Sequence, residues 1–387
     1  MRIVDVCGFY APGGGGVRSY VEQKFQAAQI HGHELTFIAP GQANREEVRP
    51  SGRILWIESP AMPFDPAYRR FDRPGPVWKA ISAMAPDVVE GSSPWRGGWI
   101  AGHWPGEAAR AFVFHQDFVA GYPQTLLGAV MQAGTVDRLF EPWWERMRRL
   151  SARFDVTVAA GDWLARRLAG FGVHRPVAVP FGIEPGRFSP GRRDEALRRR
   201  LLDACGAAPD AALILAVGRL HPEKRPHVLI EGFARAREAS GRELGLVLVG
   251  DGPWRLQIER LARRHRGVHM LGAVSDRDQI ARVYASADLL IHGSSAETFG
   301  LVVAEAVASG LPVVAPAAGG AAELARLGPS RLYPPGDRVA LAAAMLELLN
   351  DTPSRPQPAV ATSDEHFARL FGLYQTLIDG RRRAEAA

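Results

Sequence analysis

Short apolar runs alternate with longer amphipathic stretches along the whole chain. The first half contains the runs RIVDVCGF, ELTFIAP, DVVEGSS, AFVFHQD, VTVAAG and PVAVPFG. The second half contains LILAVGRL, LGLVLVGDG, GVHMLGAV, DLLIHGSS and PVVAPAAGG. Helical patterns of ten or more residues follow these runs. The alternation predicts βα units whose strands form parallel sheets covered on both faces.

The length of the chain and a break in both patterns indicate two domains. At 387 residues the chain exceeds what one core usually serves, and 47% apolar with 23% charged residues is ordinary for a soluble globular enzyme. The break is the segment FGIEPGRFSPGRRDE, whose glycines and prolines suit neither periodicity. The predicted fold class is α/β, with two doubly wound parallel-sheet domains.

Charge and cysteine content restrict the partners and the compartment. The net charge is +6, but the only lysines are Lys24, Lys79 and Lys224, and no basic tract is interleaved with aromatic residues, so no nucleic-acid partner is expected. Cys7 and Cys205 match neither a disulfide framework nor a metal spacing. No apolar run reaches the roughly 18 residues of a membrane span. We expect a cytoplasmic protein with, at most, peripheral contact with the inner face of the membrane.

The residues that follow the strands of the second half carry candidate chemistry, because ligands of open α/β sheets bind at the carboxyl ends of strands. Gly218 and Arg219 follow LILAV, and Lys224 comes shortly after them; Gly250 and Gly252 follow LVLV. Arg219 and Lys224 are suited to gripping a diphosphate. The alternative is a solvated turn that caps a helix.

Two carboxylates lie in the apolar stretch GSSAETFGLVVAEAVASGLPVVAP, one on either side of a predicted helix start near Gly300. The free amides of residues 299–301, Phe299, Gly300 and Leu301, suit a phosphate. Glu305 lies about a turn and a half further on and could accept hydrogen bonds from ribose hydroxyls. Glu297 could hold sugar hydroxyls or offset positive charge. Alternatively, Glu297 is favoured by the helix dipole and Glu305 lies on a solvated face, although the neighbours of Glu305 look buried.

Several motifs in order, GRLHPEK, GDGPWR, ETFGLVVAEAVASGLPVVA and PAAGGAAEL, resemble the donor domain of retaining glycosyltransferases of family 4. GGGGVRSYVEQ, FVFHQDF and PFGIEPGRFSP extend the resemblance over essentially the whole chain. The resemblance implies a GT-B fold, two Rossmann-like domains facing a central cleft. It implies an acceptor-side domain over residues 1–183, a nucleotide-sugar donor domain over 184–363, and a helix over 364–387 that returns to the N-terminal domain.

Carried over residue by residue, the resemblance implies that Arg219 and Lys224 bind the donor diphosphate. It places Glu305 on the ribose and Glu297, with the backbone of residues 299–301, on the sugar and its phosphate. It also implies that the base lies against the backbone around Val274 and that a histidine, His115, reaches the transferred sugar. Phe181 stands where the family often has Asn. The donor base and sugar remain open.

The implied reaction moves a hexosyl unit from a UDP- or GDP-linked donor to a sugar, glycolipid or small polyol with retention of configuration. The departing phosphate oxygen would accept the proton of the acceptor. Cationic side chains and helix amides would offset the phosphate charge, so neither metal nor cofactor is expected. Asp276 and Asp278 form an Asp-x-Asp pair, but Ser275 and Asp278 fit a helix capping box better. His31 and His33 lack a third ligand and fit a surface turn.

The acceptor side is less determined. Gly15 and Gly16 end a glycine run before a predicted helix, and Arg18 is placed to meet an anionic or hydroxylated acceptor or to lie in solvent. Trp95 is either an aromatic platform or a packed helix start. The segment FEPWWERMRRLSARF is either a membrane contact or a helix with a solvated basic face.

Other functions share this architecture. A nucleotide-sugar epimerase would turn over donor without acceptor, and a phosphorolytic enzyme would depend on phosphate. A non-catalytic sugar-nucleotide-binding module would not cleave the donor at all. A dinucleotide oxidoreductase is disfavoured because the glycine run lacks the G-x-G-x-x-G spacing. The sequence does not give an oligomeric state.

Overall fold

A computed structural model describes residues 1–8, 10, 16–63, 65–128, 130–351 and 360–385. The chain divides into two compact units. Unit 1 comprises residues 1–115, 139–180 and 363–387, and unit 2 comprises residues 116–138 and 181–362. Each unit is therefore assembled from separate parts of the chain, and the C-terminal segment belongs with the N-terminal one.

Unit 1 is built on an eight-stranded sheet among the described residues, with a separate two-stranded hairpin, β5 and β6. Its strands are β1 Arg2–Val6, β2 Glu34–Gly41, β3 Arg45–Arg49, β4 Gly52–Glu58, β5 Ala61–Met62, β6 Asp65–Arg69, β7 Val88–Gly91, β8 Ala109–Phe114, β9 Val156–Ala159 and β10 Pro176–Ala178. The order is β10-β9-β8-β7-β1-β2-β4-β3, and β3 pairs antiparallel with β4 at the edge. The other pairs of the eight-stranded sheet are parallel, and β5 and β6 pair antiparallel.

Unit 2 contains a six-stranded parallel sheet over the part of the chain that is described. Its strands are β11 Ala212–Val217, β12 Leu244–Val249, β13 Val268–Gly272, β14 Leu289–Ile291, β15 Val313–Pro316 and β16 Ser330–Tyr333. They are ordered β13-β12-β11-β14-β15-β16. Both predicted parallel α/β sheets are present.

Helices connect the strands and cover the sheets. They are α1 Gly16–Ile30, α2 Gly75–Met84, α3 Arg96–Gly102, α4 Phe118–Gly121, α5 Pro123–Leu127, α6 Ala133–Leu139, α7 Glu141–Ser151, α8 Asp162–Gly170, α9 Glu195–Cys205, α10 Pro226–Ser240, α11 Arg255–Ala262, α12 Arg277–Ser286, α13 Leu301–Ala308, α14 Gly319–Ala325, α15 Arg338–Asn350 and α16 Ser363–Glu385. A short 3₁₀ turn, Pro222–Lys224, precedes α10.

The central strands of both sheets are largely apolar because both faces of the parallel sheets are buried. In unit 2 all six residues of β12 are buried. In unit 1 the C-terminal helix α16 contributes Phe367, Leu370 and Tyr374 to the same core as β1 and β2. Burial of these side chains fixes the end of the chain onto unit 1.

A buried charge cluster links β1, α1, β7 and α16 in unit 1. Lys24 is fully buried, and its Nζ donates to Asp5 Oδ2 at 2.7 Å and to Glu90 Oε2 at 2.6 Å. Ser92 Oγ donates to Asp5 Oδ1 at 2.5 Å, and the Tyr374 hydroxyl donates to Glu90. Burial, with the neighbouring Glu90 charge, raises the pKa of Asp5 to about 7 despite the opposing effect of Lys24. The ammonium offsets two carboxylates that the core could not otherwise hold.

We predict that Lys24→Met destabilises the protein by about 3–5 kcal/mol, because it leaves the carboxylates of Asp5 and Glu90 without their cation. Urea unfolding followed by circular dichroism measures the change. Lys79→Met, on the exposed surface of α2, is the matched control and should change the free energy of unfolding by under about 0.5 kcal/mol. Equal stability of the two variants would contradict a structural role for the cluster.

Candidate active site

The strand order of unit 2 creates a crevice between neighbouring strands β11 and β14. The chain passes from β11 to β12 and β13 on one side of the sheet, and from β14 to β15 and β16 on the other. The loops that leave β11 and β14 therefore diverge, and such a switch point is where ligands bind in open α/β sheets. These two loops, residues 218–225 and 292–300, carry most of the predicted donor residues.

An ion pair joins the two loops across this crevice. Lys224 Nζ contacts Glu297 Oε1 and lies 3.2 Å from Glu223 Oε1. Burial lowers the pKa of Lys224, but the carboxylates of Glu297 and Glu223 more than offset this, and the pKa is raised above its ordinary value. Burial likewise raises the pKa of Glu297, but Lys224 and His292 reverse the effect and lower it. Both partners are therefore charged at neutral pH.

His292 immediately follows β14 and lies beside this ion pair. Its side chain is 3% exposed, and Nε2 lies 3.5 Å from Glu297 Oε1. Within the described residues, Nε2 is buried without a hydrogen-bond partner. Burial lowers the pKa of His292 to about 4 against the opposing effect of Glu297, so the imidazole is neutral at physiological pH.

Arg225 holds the two loops together beneath the ion pair. Its Nη1 donates to Gly293 O at 3.1 Å and to Ser295 Oγ at 2.7 Å. A Cβ at Gly293 would lie 2.4 Å from the carbonyl oxygen of Lys224, so only glycine permits this approach.

Arg219 is exposed at the mouth of a small pocket that Lys224 and His292 also line. Its guanidinium is therefore accessible to an anionic ligand.

The predicted donor glycines serve close packing between the loops after β11 and β12. Gly250 has φ +140°, and a Cβ there would lie 1.9 Å from the carbonyl oxygen of Gly218. A Cβ at Gly252 would lie 2.6 Å from the carbonyl oxygen of Leu220. The two backbones are hydrogen-bonded, since Leu220 N donates to Asp251 O at 2.9 Å. These glycines let the loop after β12 support the loop that carries Arg219.

The loop before α13 rests on the start of α14. Gly320 N donates to Glu297 O at 2.7 Å, and a Cβ at Gly320 would lie 2.6 Å from Phe299 O. Gly300 caps α13 with φ +99°, so the helix starts where the sequence predicts, with Leu301 partly exposed in its first turn. Phe299 is buried and packs edge-on against Phe181 at 5.6 Å. Glu297 and the free amides at the start of α13 thus belong to one loop that α14 supports.

Glu305 is buried, with 6% of its surface exposed, which excludes the alternative of a solvated face. Its Oε1 accepts from Arg277 Nη2 at 2.9 Å, and Oε2 accepts from the Tyr284 hydroxyl at 3.0 Å. Burial raises the pKa of Glu305, with Arg277 opposing. Each carboxylate oxygen retains a second lone pair that could accept a hydrogen bond from a hydroxyl group.

The segment after β13 leads to the helix that supplies Arg277. Val274 is half-buried there. The predicted capping box between Ser275 and Asp278 is wrong, because the cap of α12 is Asp276, whose Oδ1 accepts from Asp278 N at 2.8 Å. An extended residue with a short carboxylate at this position reaches the free amides directly. The Asp276 carboxylate is thus engaged in capping.

His115 belongs to unit 1 and directly follows β8. Its ring packs edge-on against Tyr20 at 5.1 Å, and the Tyr20 hydroxyl lies 3.2 Å from Nε2 of His366 on α16. Burial lowers the pKa of His115 to about 4 despite the opposing effect of Glu90. The imidazole is neutral and can hydrogen-bond to a hydroxyl group.

The other predicted residues of unit 1 surround the first helix and α3. Gly15 lies outside the described residues, whereas Gly16 is the first residue of α1 and Arg18 is exposed in its first turn. Trp95 directly precedes α3, is half-buried and packs against Trp143 at 4.6 Å.

The basic segment that contains Trp143 forms α7. Trp144 is fully buried and stacks on Phe171 at 3.9 Å. The tryptophans of this segment therefore pack within unit 1, and its arginines remain on the surface side.

Several residues of the site were missed at the sequence level. His292 directly follows β14, and Arg225 directly follows the charged motif GRLHPEK. These positions alone could have indicated that both residues belong to the site. Arg277 and Tyr284 come from a helix whose sequence gives no indication that it reaches Glu305. No cluster of three or more histidine, cysteine, aspartate or glutamate side chains that could hold a metal ion occurs among the described residues.

Comparisons with known proteins agree with this organisation. The model of the family described as Glycosyl transferases group 1 matches residues 200–362, and that of Glycosyltransferase Family 4 matches residues 14–187. A GDP-mannose-dependent alpha-mannosyltransferase of Mycolicibacterium smegmatis is 31% identical, with all of both chains covered. A GDP-mannose-dependent alpha-(1-6)-phosphatidylinositol dimannoside mannosyltransferase of Mycobacterium tuberculosis is 29% identical over 81% of this chain and 79% of its own.

Solved structures show the same architecture. Sucrose-phosphate synthase from Thermosynechococcus elongatus superimposes with a TM-score of 0.71 at 20% identity, covering 100% of this chain and 98% of its own. The Anabaena HepE protein in complex with UDP gives a TM-score of 0.65 at 19% identity, with both chains covered completely. Over the described part of the chain, no helix is long and apolar enough to cross a membrane.

We predict that His292 stays neutral well below its ordinary titration range. In the unfolded chain it gains a proton near pH 6.5, and in the folded protein only near pH 4. Its contribution to stability is therefore complete above about pH 6.5 and is lost as the pH falls towards 4. Nuclear magnetic resonance of ring-labelled histidine, with His292→Asn to assign the signal, measures this. A midpoint near 6.5 in the folded protein would contradict the burial argument.

Proposed function

Because this chain belongs to glycosyltransferase family 4, we propose that it transfers a mannosyl unit from GDP-mannose to a hydroxyl of a glycolipid or sugar acceptor. Its fold is GT-B, and its activity class is glycosyl transfer from a nucleotide sugar. The observation that carries the assignment of the donor diphosphate to this site is the ion pair of Lys224 with Glu297 at the switch point of unit 2, in the loop that leads into α13.

The relatives support GDP-mannose as the donor. The two relatives compared above are both named as GDP-mannose-dependent mannosyltransferases. They are 29% and 31% identical to this chain over most or all of their own length. The two solved structures compared above are 20% and 19% identical and support the fold only, so the UDP in one of them does not bear on the base.

We assign the diphosphate to Arg219, Lys224 and the amides of Gly300 and Leu301. Negative charge grows on the departing phosphate as the sugar leaves, and fixed positive charge in a poorly hydrated site stabilises that state. Glu297 keeps Lys224 charged and has oxygen lone pairs for a sugar hydroxyl. In this assignment protein groups alone supply the positive charge. We therefore propose that the reaction needs no bound metal.

We propose that the reaction retains the anomeric configuration. The carboxylate of Glu297 is engaged by Lys224. We therefore do not assign it the role of a nucleophile. The departing phosphate oxygen would accept the proton of the acceptor hydroxyl while that hydroxyl attacks from the same face of the sugar. His115, neutral at physiological pH, is assigned to a hydroxyl of the transferred sugar.

Glu305 is assigned to the ribose of the nucleotide, and the backbone around Val274 to the base. The Arg277 and Tyr284 contacts fix the Glu305 carboxylate in one orientation, so it is preorganised to accept hydroxyl hydrogen bonds. On the acceptor side we assign Gly15, Gly16 and Arg18 to the acceptor or to the donor phosphate that borders it. The acceptor-side role of Trp95 stays a prediction; its ring is half-buried and lies 4.6 Å from that of Trp143.

We expect GDP-mannose to raise the melting temperature more than UDP-glucose or ADP-glucose at equal concentration, since a bound donor stabilises the fold by about 2.7 kcal/mol at a hundred times its Kd.

Glu305→Gln should weaken GDP binding about tenfold through lost ribose hydrogen bonds. The exposed Glu347→Gln is the control and should leave binding unchanged. A UDP- or ADP-sugar preference would overturn the donor assignment, and turnover without acceptor would favour an epimerase.

Mannosyl transfer should persist in excess EDTA, because Arg219, Lys224 and backbone amides are assigned to offset the phosphate charge. Radiolabelled transfer to a mannosylated glycolipid acceptor, with and without EDTA, measures this. Loss of transfer that Mn²⁺ or Mg²⁺ restores would show that a metal carries part of the charge.

A further inference from the structure

A cavity in unit 1 is lined by residues that the proposed transfer reaction does not use. It has a volume of about 490 Å³, within the range of small-ligand sites, and lies between α3 and α7. Its charged lining consists of four arginines and one glutamate: Arg96, Arg146, Arg149, Arg153 and Glu145. The lining therefore carries a formal excess of positive charge.

Most of this charge has no protein counterion. Arg149 Nε donates to Glu145 Oε1 at 2.7 Å, and the same carboxylate also accepts a hydrogen bond from Arg148 Nε. Arg146 and Arg153 are exposed, and neither forms an ion pair or a side-chain hydrogen bond with any described residue. One carboxylate thus faces four guanidinium groups in the cavity and shares its charge with a fifth.

The fold itself does not account for this arrangement. Arg146 and Arg149 lie three residues apart on α7, a spacing at which like charges on a helix repel one another, and Arg153 follows two residues after the helix ends. The helix dipole favours cations in the last turn of α7, which explains Arg148 and Arg149. It does not explain Arg146, which lies nearer the middle of the helix. An anion in the cavity would remove the repulsion.

Arg96 brings spare donors from the other wall. Its Nη2 donates to Asp72 O at 2.7 Å, whereas its Nε is buried and has no hydrogen-bond partner among the described residues. The guanidinium carbon lies 5.0 Å from the ring centre of Trp99, which stacks on His103 at 4.3 Å. Arg96 is therefore held in place by packing while part of its hydrogen-bonding capacity is unused.

We propose that this cavity binds a phosphate-bearing ligand. The planar fork of arginine matches phosphate oxygens bidentately, and a phosphate with nearly two negative charges would offset much of the excess charge. The stacked rings of Trp99 and His103 provide an apolar wall for the group that carries the phosphate. The same chemistry is found in the headgroup of an anionic phospholipid and in a soluble phosphate ester.

The test compares three proteins that contain the same donor residues. The site variant is Arg146→Gln with Arg153→Gln. The matched control is Arg369→Gln with Arg382→Gln, which removes two exposed arginines of α16 and changes the net charge equally. Any phosphate bound in unit 2 contributes equally to all three proteins. Melting temperatures establish that each variant is folded, and none of the changed residues belongs to the transfer site.

One arm measures calorimetric binding of glycerol 3-phosphate at low ionic strength. The other measures sedimentation with vesicles of phosphatidylcholine containing 20% phosphatidic acid, and with phosphatidylcholine alone. We expect the site variant to lose at least tenfold in affinity in one or both arms, and the control to lose less than twofold. A loss in the vesicle arm alone identifies a lipid headgroup, and a loss in the glycerol phosphate arm identifies a phosphate group that is recognised in solution.

Equal losses in the site variant and the control would overturn the proposal, because net charge alone would then explain binding. Unchanged affinity of the site variant in both arms, or no binding by the unmodified protein, would also overturn it. These outcomes are independent of the donor assignment, since GDP-mannose binding is measured separately on the same proteins.

Discussion

The candidate site depends on the order of strands in unit 2. Because β11 and β14 are neighbours and their following connections run to opposite sides, the loops that leave them cannot fill the space between their ends. Lys224 and Glu297, which are 73 residues apart in sequence, meet across that space. Gly293 allows the loops to approach closely enough for this contact. The ion pair is thus a consequence of topology, and so is the position of the charged groups that we propose for a diphosphate.

Lysine is rare in this chain, and two of its three lysines lie between pairs of carboxylates. Lys24 bridges Asp5 and Glu90 in the core of unit 1, and Lys224 contacts Glu223 and Glu297 in unit 2. A compact ammonium can approach two carboxylates in a confined space where a guanidinium fork would need more room. The arginines, by contrast, mostly occupy exposed positions where their size is unrestricted.

The end of the chain shapes the surroundings of His115. Tyr20 contacts both the His115 ring and the His366 ring, and His366 lies on α16. The Tyr374 hydroxyl of the same helix donates to Glu90, whose charge acts on His115. Although His115 lies in the first third of the sequence, its packing and pKa depend on residues from the last helix.

Local sequence determined the elements of this protein and most of the groups available for chemistry. Apolar runs located the buried strands, because both faces of a parallel strand are covered, and Gly300 marked the start of α13 since it adopts positive φ. The apolar neighbours of Glu305 indicated its burial. Such features depend on residues close together in the chain, and they are therefore legible from the sequence.

Tertiary structure alone decided which of these groups meet. The partners of Glu305, Arg277 and Tyr284, come from another helix, and the choice of Asp276 over Ser275 as a cap depends on the backbone geometry at the helix entry. The arginine cavity likewise requires Arg96 from α3 to lie opposite α7. Contacts between distant residues are set by strand order and side-chain packing, and neither periodicity nor spacing along the chain encodes the distance between two such groups.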